Sequence, residues 1–342
     1  MNAPGRQKRK HTARKRFGQH WLRDESVLDR IIQAGKLGEG DRVLEIGPGQ
    51  GALTQRLLKT PAKVLAVEID RDLCLQLSEQ FIPYMGSGQF QLIESDFLKI
   101  DFEQALSDLS LDRPNKVLAN IPYYITAPIL EKLLGTIRTP NPHPYESIVL
   151  LVQKEISDRL CAQPSTKANG ALTIRAQYLA ECKEICRVPP SAFKPPPKVE
   201  SAVIQLKPRP FAMPAKNPAR LAQLVKVGFS QKRKMLRNNL QSIVERDLLN
   251  NILERLEMDP QSRAEDLGVA EWVALSDAVE EMSTEEISAE EMSAEETDIE
   301  EISAEEADLE ETDIEQSEYA LQEGSANDSA HSSEPVVPIA TG

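Results

Sequence analysis

The stretch Val43-Leu44-Glu45-Ile46-Gly47-Pro48-Gly49-Gln50-Gly51-Ala52-Leu53-Thr54 leaves few folds open to this chain. It reads as a strand, a glycine-rich turn and the start of a helix, an arrangement that brings backbone close to a ligand at the carboxyl end of the strand. The surrounding pattern extends the same unit. Short β-rich runs over 43–46, 63–68, 89–94, 116–119, 147–152 and 202–206 alternate with helical periodicity, as over 52–59 and 72–81. Such alternation predicts an α/β domain with a mainly parallel sheet covered on both faces, because parallel strands need crossover connections. Pro208, Pro210, Pro214 and Pro218 then break the chain, and 220–279 reads as short amphipathic helices. The expected organisation is a basic arm over 1–16, a sheet domain over 17–208, a small helical domain over 209–279 and an acidic tail over 280–342.

Charge is distributed unevenly. From Glu280 to Gly342 there are 22 acids and no Lys or Arg, so the formal charge of −14 hides a body that carries 40 bases against 32 acids. A basic body with an acidic tail points to an anionic partner. The tail repeats with a period of five, beginning Glu280-Glu281-Met282-Ser283-Thr284 and running in seven copies to Ile314. That period matches neither helix nor strand, so the tail is expected to be disordered, either as a solvated extension or as a polyanion mimic competing for the basic body. The arm holds Arg6, Lys8, Arg9, Lys10, Arg14, Lys15 and Arg16 with no acid and no apolar run behind them, unlike a cleaved signal peptide. No apolar stretch approaches the roughly 20 residues that span a bilayer. A soluble, cytoplasmic chain is expected. Cys74, Cys161, Cys182 and Cys186 contain no C-x-x-C pair and the four histidines do not cluster, so neither a disulfide framework nor a metal site is expected.

Three elements suggest a nucleoside ligand. Gly47, Gly49 and Ala52 satisfy G-x-G-x-x-G/A, which suits a dinucleotide as well as any other adenosine-containing cofactor. Glu68, at the end of the second strand, can accept hydrogen bonds from both ribose hydroxyls. Asp96, after the third strand, can accept from an adenine amine. Each acid alone could equally be a helix cap or a solvated loop residue. Their order, each at a strand's carboxyl end, gives them weight together.

Asn120-Ile121-Pro122-Tyr123, at the end of the fourth strand, separates the cofactor alternatives. It resembles the N-(I/L/P)-P-(Y/F) motif of methyltransferases that use S-adenosylmethionine to modify exocyclic amines of nucleobases, and hydride transfer has no use for it. Adenine N6 is a poor nucleophile because its lone pair is delocalised into the ring. If the Asn120 side-chain oxygen and the Ile121 carbonyl each accept one N6 hydrogen, the nitrogen is drawn towards a pyramidal geometry with its lone pair aimed at the methyl group. Catalysis is then mostly positioning and electrostatics. Pro122 stiffens the turn, and Tyr123 offers a ring on which a base stacks after leaving its own stack.

Over about residues 14–275 the chain resembles the ribosomal RNA adenine dimethyltransferases of the KsgA and Dim type. Arg16-Phe17-Gly18-Gln19-His20-Trp21-Leu22 is similar to the family's opening motif, and 44–54 to its first cofactor motif. The passage from Arg187-Val188-Pro189-Pro190-Ser191-Ala192-Phe193-Lys194 to Pro195-Pro196-Pro197-Lys198-Val199-Glu200-Ser201-Ala202 is similar to a later motif and is the most specific match. The resemblance implies a Rossmann-like methyltransferase sheet and S-adenosylmethionine held by His20, Leu22, Gly47, Glu68, Asp96 and Asn120. It implies Phe193 closing the second face of a flipped adenine opposite Tyr123, although a phenylalanine in a proline-stiffened loop could also be a packing plug. His20 stands where the family often has asparagine; an imidazole can still donate to the cofactor's carboxylate, and a neutral ring adds no charge beside the sulfonium. Trp21 replaces a common phenylalanine.

The implied reaction is transfer of two methyl groups to N6 of each of two adjacent adenosines in a hairpin loop of small-subunit (16S) ribosomal RNA during 30S assembly, by a monomer. Lys232, Arg233, Lys234 and Arg237, with Asn238 and Asn239, form a cluster suited to phosphate contacts beside the seven cations of the arm. The alternatives are an Erm-type enzyme acting on large-subunit RNA, a non-catalytic assembly factor on the same scaffold and, more distantly, an NAD-dependent oxidoreductase.

Overall fold

In the computed structural model, which describes residues 20–282, the chain begins with a two-residue strand β1 (Trp21–Leu22) and helix α1 (Glu25–Gly35). Asp24 caps α1, its Oδ1 accepting from the amides of Ser26 and Val27. Four strand–helix units follow: β2 (Arg42–Ile46) and α2 (Ala52–Leu57), then β3 (Lys63–Glu68) with α3 (Arg71–Gln80) and α4 (Ile82–Gly86). Next come β4 (Phe90–Glu94) and α5 (Phe102–Asp108), and then β5 (Lys116–Asn120) and α6 (Thr126–Leu134). The chain continues through β6 (Ser147–Gln153), α7 (Lys154–Leu160), α8 (Ala171–Leu179), β7 (Ala180–Val188), β8 (Phe193–Lys194) and β9 (Ser201–Pro208).

The main sheet has the order β4-β3-β2-β5-β6-β9-β7, with the first five strands parallel and β9 antiparallel to both of its neighbours, β6 and β7. Its central strands are near-continuous apolar runs. Val43, Leu44, Val117, Leu118, Ala119 and all of Ile148 to Val152 have no more than trace exposure, as strands covered on both faces require. The carboxyl ends of β2, β3, β4 and β5 therefore share one edge of the sheet, where the order reverses between β2 and β5, and that edge is where ligands bind in open sheets of this kind.

Every strand expected from the sequence is present, within a residue or two of its bounds at most ends. β7 is the long element that periodicity did not reveal. It continues α8 without a break, and Glu181, Lys183, Glu184 and Arg187 give it the charge density of a solvated helix. As an edge strand it needs apolar contact on one side only, and its burial alternates accordingly. The minor strands β1 and β8 pair with each other, Leu22 opposite Phe193.

Beyond Pro208 come α9 (Pro218–Gly228), α10 (Leu236–Leu240), α11 (Arg246–Arg255) and a helix, α12, over 269–282. Fully buried Trp272 organises them, and α9 comes so close that a Cβ on Gly228 would lie 2.4 Å from the indole. Contacts group the sheet and these helices, through Glu280, into one unit. The expected arm over 1–16 lies outside the described residues, as does all of the tail except Glu280 to Met282. No described helix is long and apolar enough to cross a membrane, and no group of metal-ligating side chains occurs among the described residues.

Candidate active site

The glycine turn and three carboxylates frame one cavity of about 220 Å³ at the carboxyl edge of the sheet. Gly47 has φ +65° and Gly51 φ +79°, conformations that disfavour any side chain, and a Cβ on Gly51 would lie 2.8 Å from the Phe81 ring. Glycine thus serves twice, turning the chain after β2 and letting α2 pack against α3. Glu68 is held by three backbone donors: Oε1 accepts from the amides of Ile69 and Asp70, both at 2.9 Å, and Oε2 from the amide of Gly49 at 3.1 Å. Burial raises its pKa, and these bonds oppose the rise by favouring the carboxylate. Asp96 closes its own turn, Oδ1 accepting from the Leu98 amide at 3.0 Å.

Glu45 was not singled out from the sequence, yet it lines the same cavity and is 1% exposed. Burial pushes its carboxyl up to about 8, with Thr54 donating to Oε2 at 2.7 Å and Glu68 adding repulsion. Its Oε1 has no hydrogen-bond partner among the described residues. The sequence signal was an acid inside an otherwise apolar strand, Val43-Leu44-Glu45-Ile46. Ile69, Leu98, Trp21 and Tyr124 are further wall residues outside the expected set.

The tetrad follows β5 directly. Asn120, Ile121, Pro122 and Tyr123 all line the cavity, as do His20, Leu22, Gly47, Glu68 and Asp96. The Asn120 amide nitrogen donates to the His20 carbonyl at 3.4 Å, which leaves the side-chain oxygen to accept from something else. The Tyr123 hydroxyl shares a 2.6 Å hydrogen bond with the Ser201 hydroxyl, and the Thr126 hydroxyl donates to the Tyr123 carbonyl at 3.1 Å, so ring and turn are both tied down. His20 lies near-parallel to the Tyr123 ring, at 6.1 Å between centroids and 20° between planes.

His20 is oriented by one hydrogen bond. Its Nδ1 is 2.9 Å from the Pro195 carbonyl, an acceptor only, so Nδ1 carries the proton and Nε2 of the neutral ring is an acceptor. A neutral ring held this way offers Nε2 to a donor, whereas a protonated ring donates from both nitrogens. Phe193 occupies a packing position, the second of its two expected roles: it is 4% exposed, belongs to the apolar cluster that includes Leu22, Leu28 and Ile31, and is not part of the cavity wall. Pairing of β1 with β8 turns its ring inward beneath Leu22.

The expected RNA-contacting cations are split. Lys232, Arg233 and Lys234 are exposed in the turn before α10, with the Lys232 ammonium donating to the Lys167 carbonyl at 2.8 Å, whereas Arg237 is half-buried. Asn239 is a structural clamp, its amide donating to the carbonyls of Gly228 and Gln231.

A profile of the family described as Ribosomal RNA adenine dimethylase matches residues 10–281. The chain belongs to that family. It is 55% identical over 273 residues to the Ribosomal RNA small subunit methyltransferase A of a Picosynechococcus species, a match covering 80% of this chain and 99% of the relative. The protein of the same description from Nostoc punctiforme is 54% identical over 280 residues, covering 80% and 96%. Among solved structures, a dimethyladenosine transferase from Plasmodium falciparum superposes with a TM-score of 0.63 at 28% identity, over 75% of this chain and 96% of that one. The 23S rRNA methyltransferase ErmE superposes at 0.59 and 24% identity, over 76% and 99%, a likeness of fold. The family match runs through both the sheet and the helices that follow it.

Proposed function

We propose that the protein transfers two methyl groups from S-adenosylmethionine to N6 of each of two adjacent adenosines in small-subunit ribosomal RNA, acting as a cytoplasmic monomer on the 30S precursor. The observation that carries this reading is the convergence of the Asn120–Tyr123 turn with Glu68, Asp96 and the glycine turn on one cavity. Family membership supports it, and so do the descriptions of its close relatives.

The cavity's donor set suits the cofactor. Glu68 keeps acceptor capacity for a ribose diol and Asp96 for an adenine amine, while Gly47 lets backbone approach and Leu22 adds an apolar wall. The unpartnered Glu45 Oε1 can take part in one further hydrogen bond, and a neutral His20 offers Nε2 to a donor such as an ammonium group. When bound, S-adenosylmethionine would supply a methyl carbon made electrophilic by the adjacent sulfonium.

The rest of the chemistry belongs to the chain. Asn120 and the Ile121 carbonyl accept the two N6 hydrogens and localise the nitrogen lone pair, Pro122 fixes that carbonyl, and Tyr123 stacks on the extruded base. Each transfer releases one N6 proton to solvent, so after the first N6 keeps a single hydrogen and one of the two acceptors suffices in the second round. Phe193 would act indirectly, by holding β1 and with it His20 and Leu22. Lys232, Arg233, Lys234 and Arg237 would contact RNA phosphates.

The test is to incubate undermethylated small-subunit particles with labelled S-adenosylmethionine and analyse the nucleosides by mass. N6,N6-dimethyladenosine in small-subunit RNA is expected, with transfer falling about 10²- to 10³-fold in Asn120→Ala. Labelling confined to large-subunit RNA would replace this reading with the Erm-type one. No transfer at all would leave an assembly factor.

A further inference from the structure

A second, open groove lies between the loop after α6 and one face of α9, and it is lined by Arg138, Arg220 and Lys226 with Asn217 and Gln223 and no acid. Arg220 pairs with Glu280 from outside the lining, which leaves Arg138 and Lys226 as two cations without an acid, in a body whose residues 17–279 hold 33 bases and 32 acids. We propose that this groove binds the phosphodiester backbone of the RNA substrate, as a contact surface separate from the cavity and from the Lys232–Arg237 cluster. The proposal rests on the RNA substrate proposed above.

Four observations carry it. Neither Arg138 nor Lys226 forms a hydrogen bond or ion pair among the described residues, and both are exposed, so two charges stand ready for an outside anion. Two of the groove's residues already bind a carboxylate from outside the lining: Glu280 accepts from Asn217 Nδ2 at 2.8 Å and from Arg220 Nε at 3.2 Å, which keeps its pKa below the ordinary value. Arg138 is presented by a knitted loop. Gly135 has φ +80° and bridges to Pro140, the Thr136 and Thr139 hydroxyls are 2.9 Å apart, and Asn141 Nδ2 donates to the Leu133 carbonyl. A pre-organised loop loses little entropy when it binds. Finally, α6 links the two sites directly. Its N-terminus follows the catalytic turn and its C-terminus leads into the Arg138 loop, and nine residues of helix span about 13 Å.

The test compares full-length wild type with Arg138→Gln/Lys226→Gln and with the charge-retaining Arg138→Lys/Lys226→Arg, measuring affinity for undermethylated small-subunit particles from 50 to 250 mM KCl. Two phosphate contacts contribute about 1.4 to 1.8 to the slope of log affinity against log salt. The Gln pair is expected to lose that much slope and roughly 30-fold in affinity near 0.1 M salt. KM for particles should rise while kcat holds, and the charge-retaining pair should match wild type. An unchanged slope in the Gln pair overturns the proposal, as does an equal loss in the charge-retaining pair. Binding and methyl transfer are read separately. Wild type that binds particles but forms no dimethyladenosine would remove the proposed function and still leave the slopes to decide the groove.

Discussion

The hydroxyl of Tyr123 meets the hydroxyl of Ser201 at 2.6 Å, across 78 residues of sequence. This bond anchors the ring that the Asn120–Tyr123 turn presents, because Ser201 begins β9, in the sheet itself. Ring and anchor separate experimentally. Tyr123→Ala removes a stacking surface worth about 1–3 kcal/mol per base, so kcat/KM on small-subunit particles should fall roughly 5- to 150-fold. Tyr123→Phe and Ser201→Ala keep the ring and should cost only a few-fold. Tyr123→Ala within twofold of wild type would show that the base does not stack there.

Glu45 makes stability depend on pH in the unusual direction for a carboxyl. Its pKa is raised by burial to about 8, so the neutral form is the one the fold accommodates. The stability it permits is complete below the ordinary value of 4.5 and is lost as pH rises through about 8. Glu68 is shifted the same way and adds to the trend. Asp41 and Asp158 are shifted downwards and act only at the acid end. Urea unfolding at pH 5.5 and 8.5 should show wild type weaker at the higher pH by a few kcal/mol. Glu45→Gln, which has the same shape and no charge to bury, should flatten most of that difference. A wild-type midpoint constant across this range would contradict the assignment.

At the other end of β5, the Lys116 ammonium donates to Asp41 Oδ2 at 2.8 Å and to the Lys36 carbonyl at 3.0 Å, with both side chains of the pair nearly buried. Burial works against the Asp41 charge, but the Lys116 and Asn115 side chains and the Gly38 amide outweigh it and hold the pKa down. This contribution is present above the ordinary carboxyl range and disappears as pH falls through the lowered value. Lys116→Met strands a nearly buried carboxylate and should cost about 3 kcal/mol in urea unfolding. The double replacement Lys116→Met/Asp41→Leu should recover much of that loss. Additive losses would indicate that the two residues act independently.

What the sequence revealed follows from how local each signal is. β2 and the glycine turn are legible because apolar residues, glycines and helix formers stand in one run of twelve residues. The tetrad is legible because its chemistry needs four consecutive residues. β7 was hidden because an edge strand with charged residues on its outer face has the composition of a helix surface. The Ser201 anchor, the acceptor face that Pro195 imposes on His20 and the Arg138 groove all join residues far apart in the chain, and no window contains them. Glu45 was visible as an acid in an apolar strand, but its meaning depends on a burial that only the packed sheet supplies.

Phe193 is the residue for which motif and packing disagree, and two substitutions separate the roles. In the structure its ring lies at 4% exposure in the cluster with Leu22, across the β1–β8 pair that carries His20 and Leu22 to the cavity. Packing of this kind tolerates a change of shape at similar volume, so Phe193→Leu should cost less than about 1.5 kcal/mol and leave transfer within a few-fold of wild type. Phe193→Ala opens a cavity and should cost about 3–5 kcal/mol, with weakened cofactor binding as β1 loosens. A stacking ring behaves otherwise, because leucine offers a base no aromatic face. Phe193→Leu would then lose as much kcat/KM as Tyr123→Ala while its unfolding midpoint stayed near wild type. Thermal unfolding and particle methylation measured on the same preparations distinguish the two. Loss of transfer without loss of stability would mean that the loop carrying Phe193 swings its ring out to the base when RNA binds.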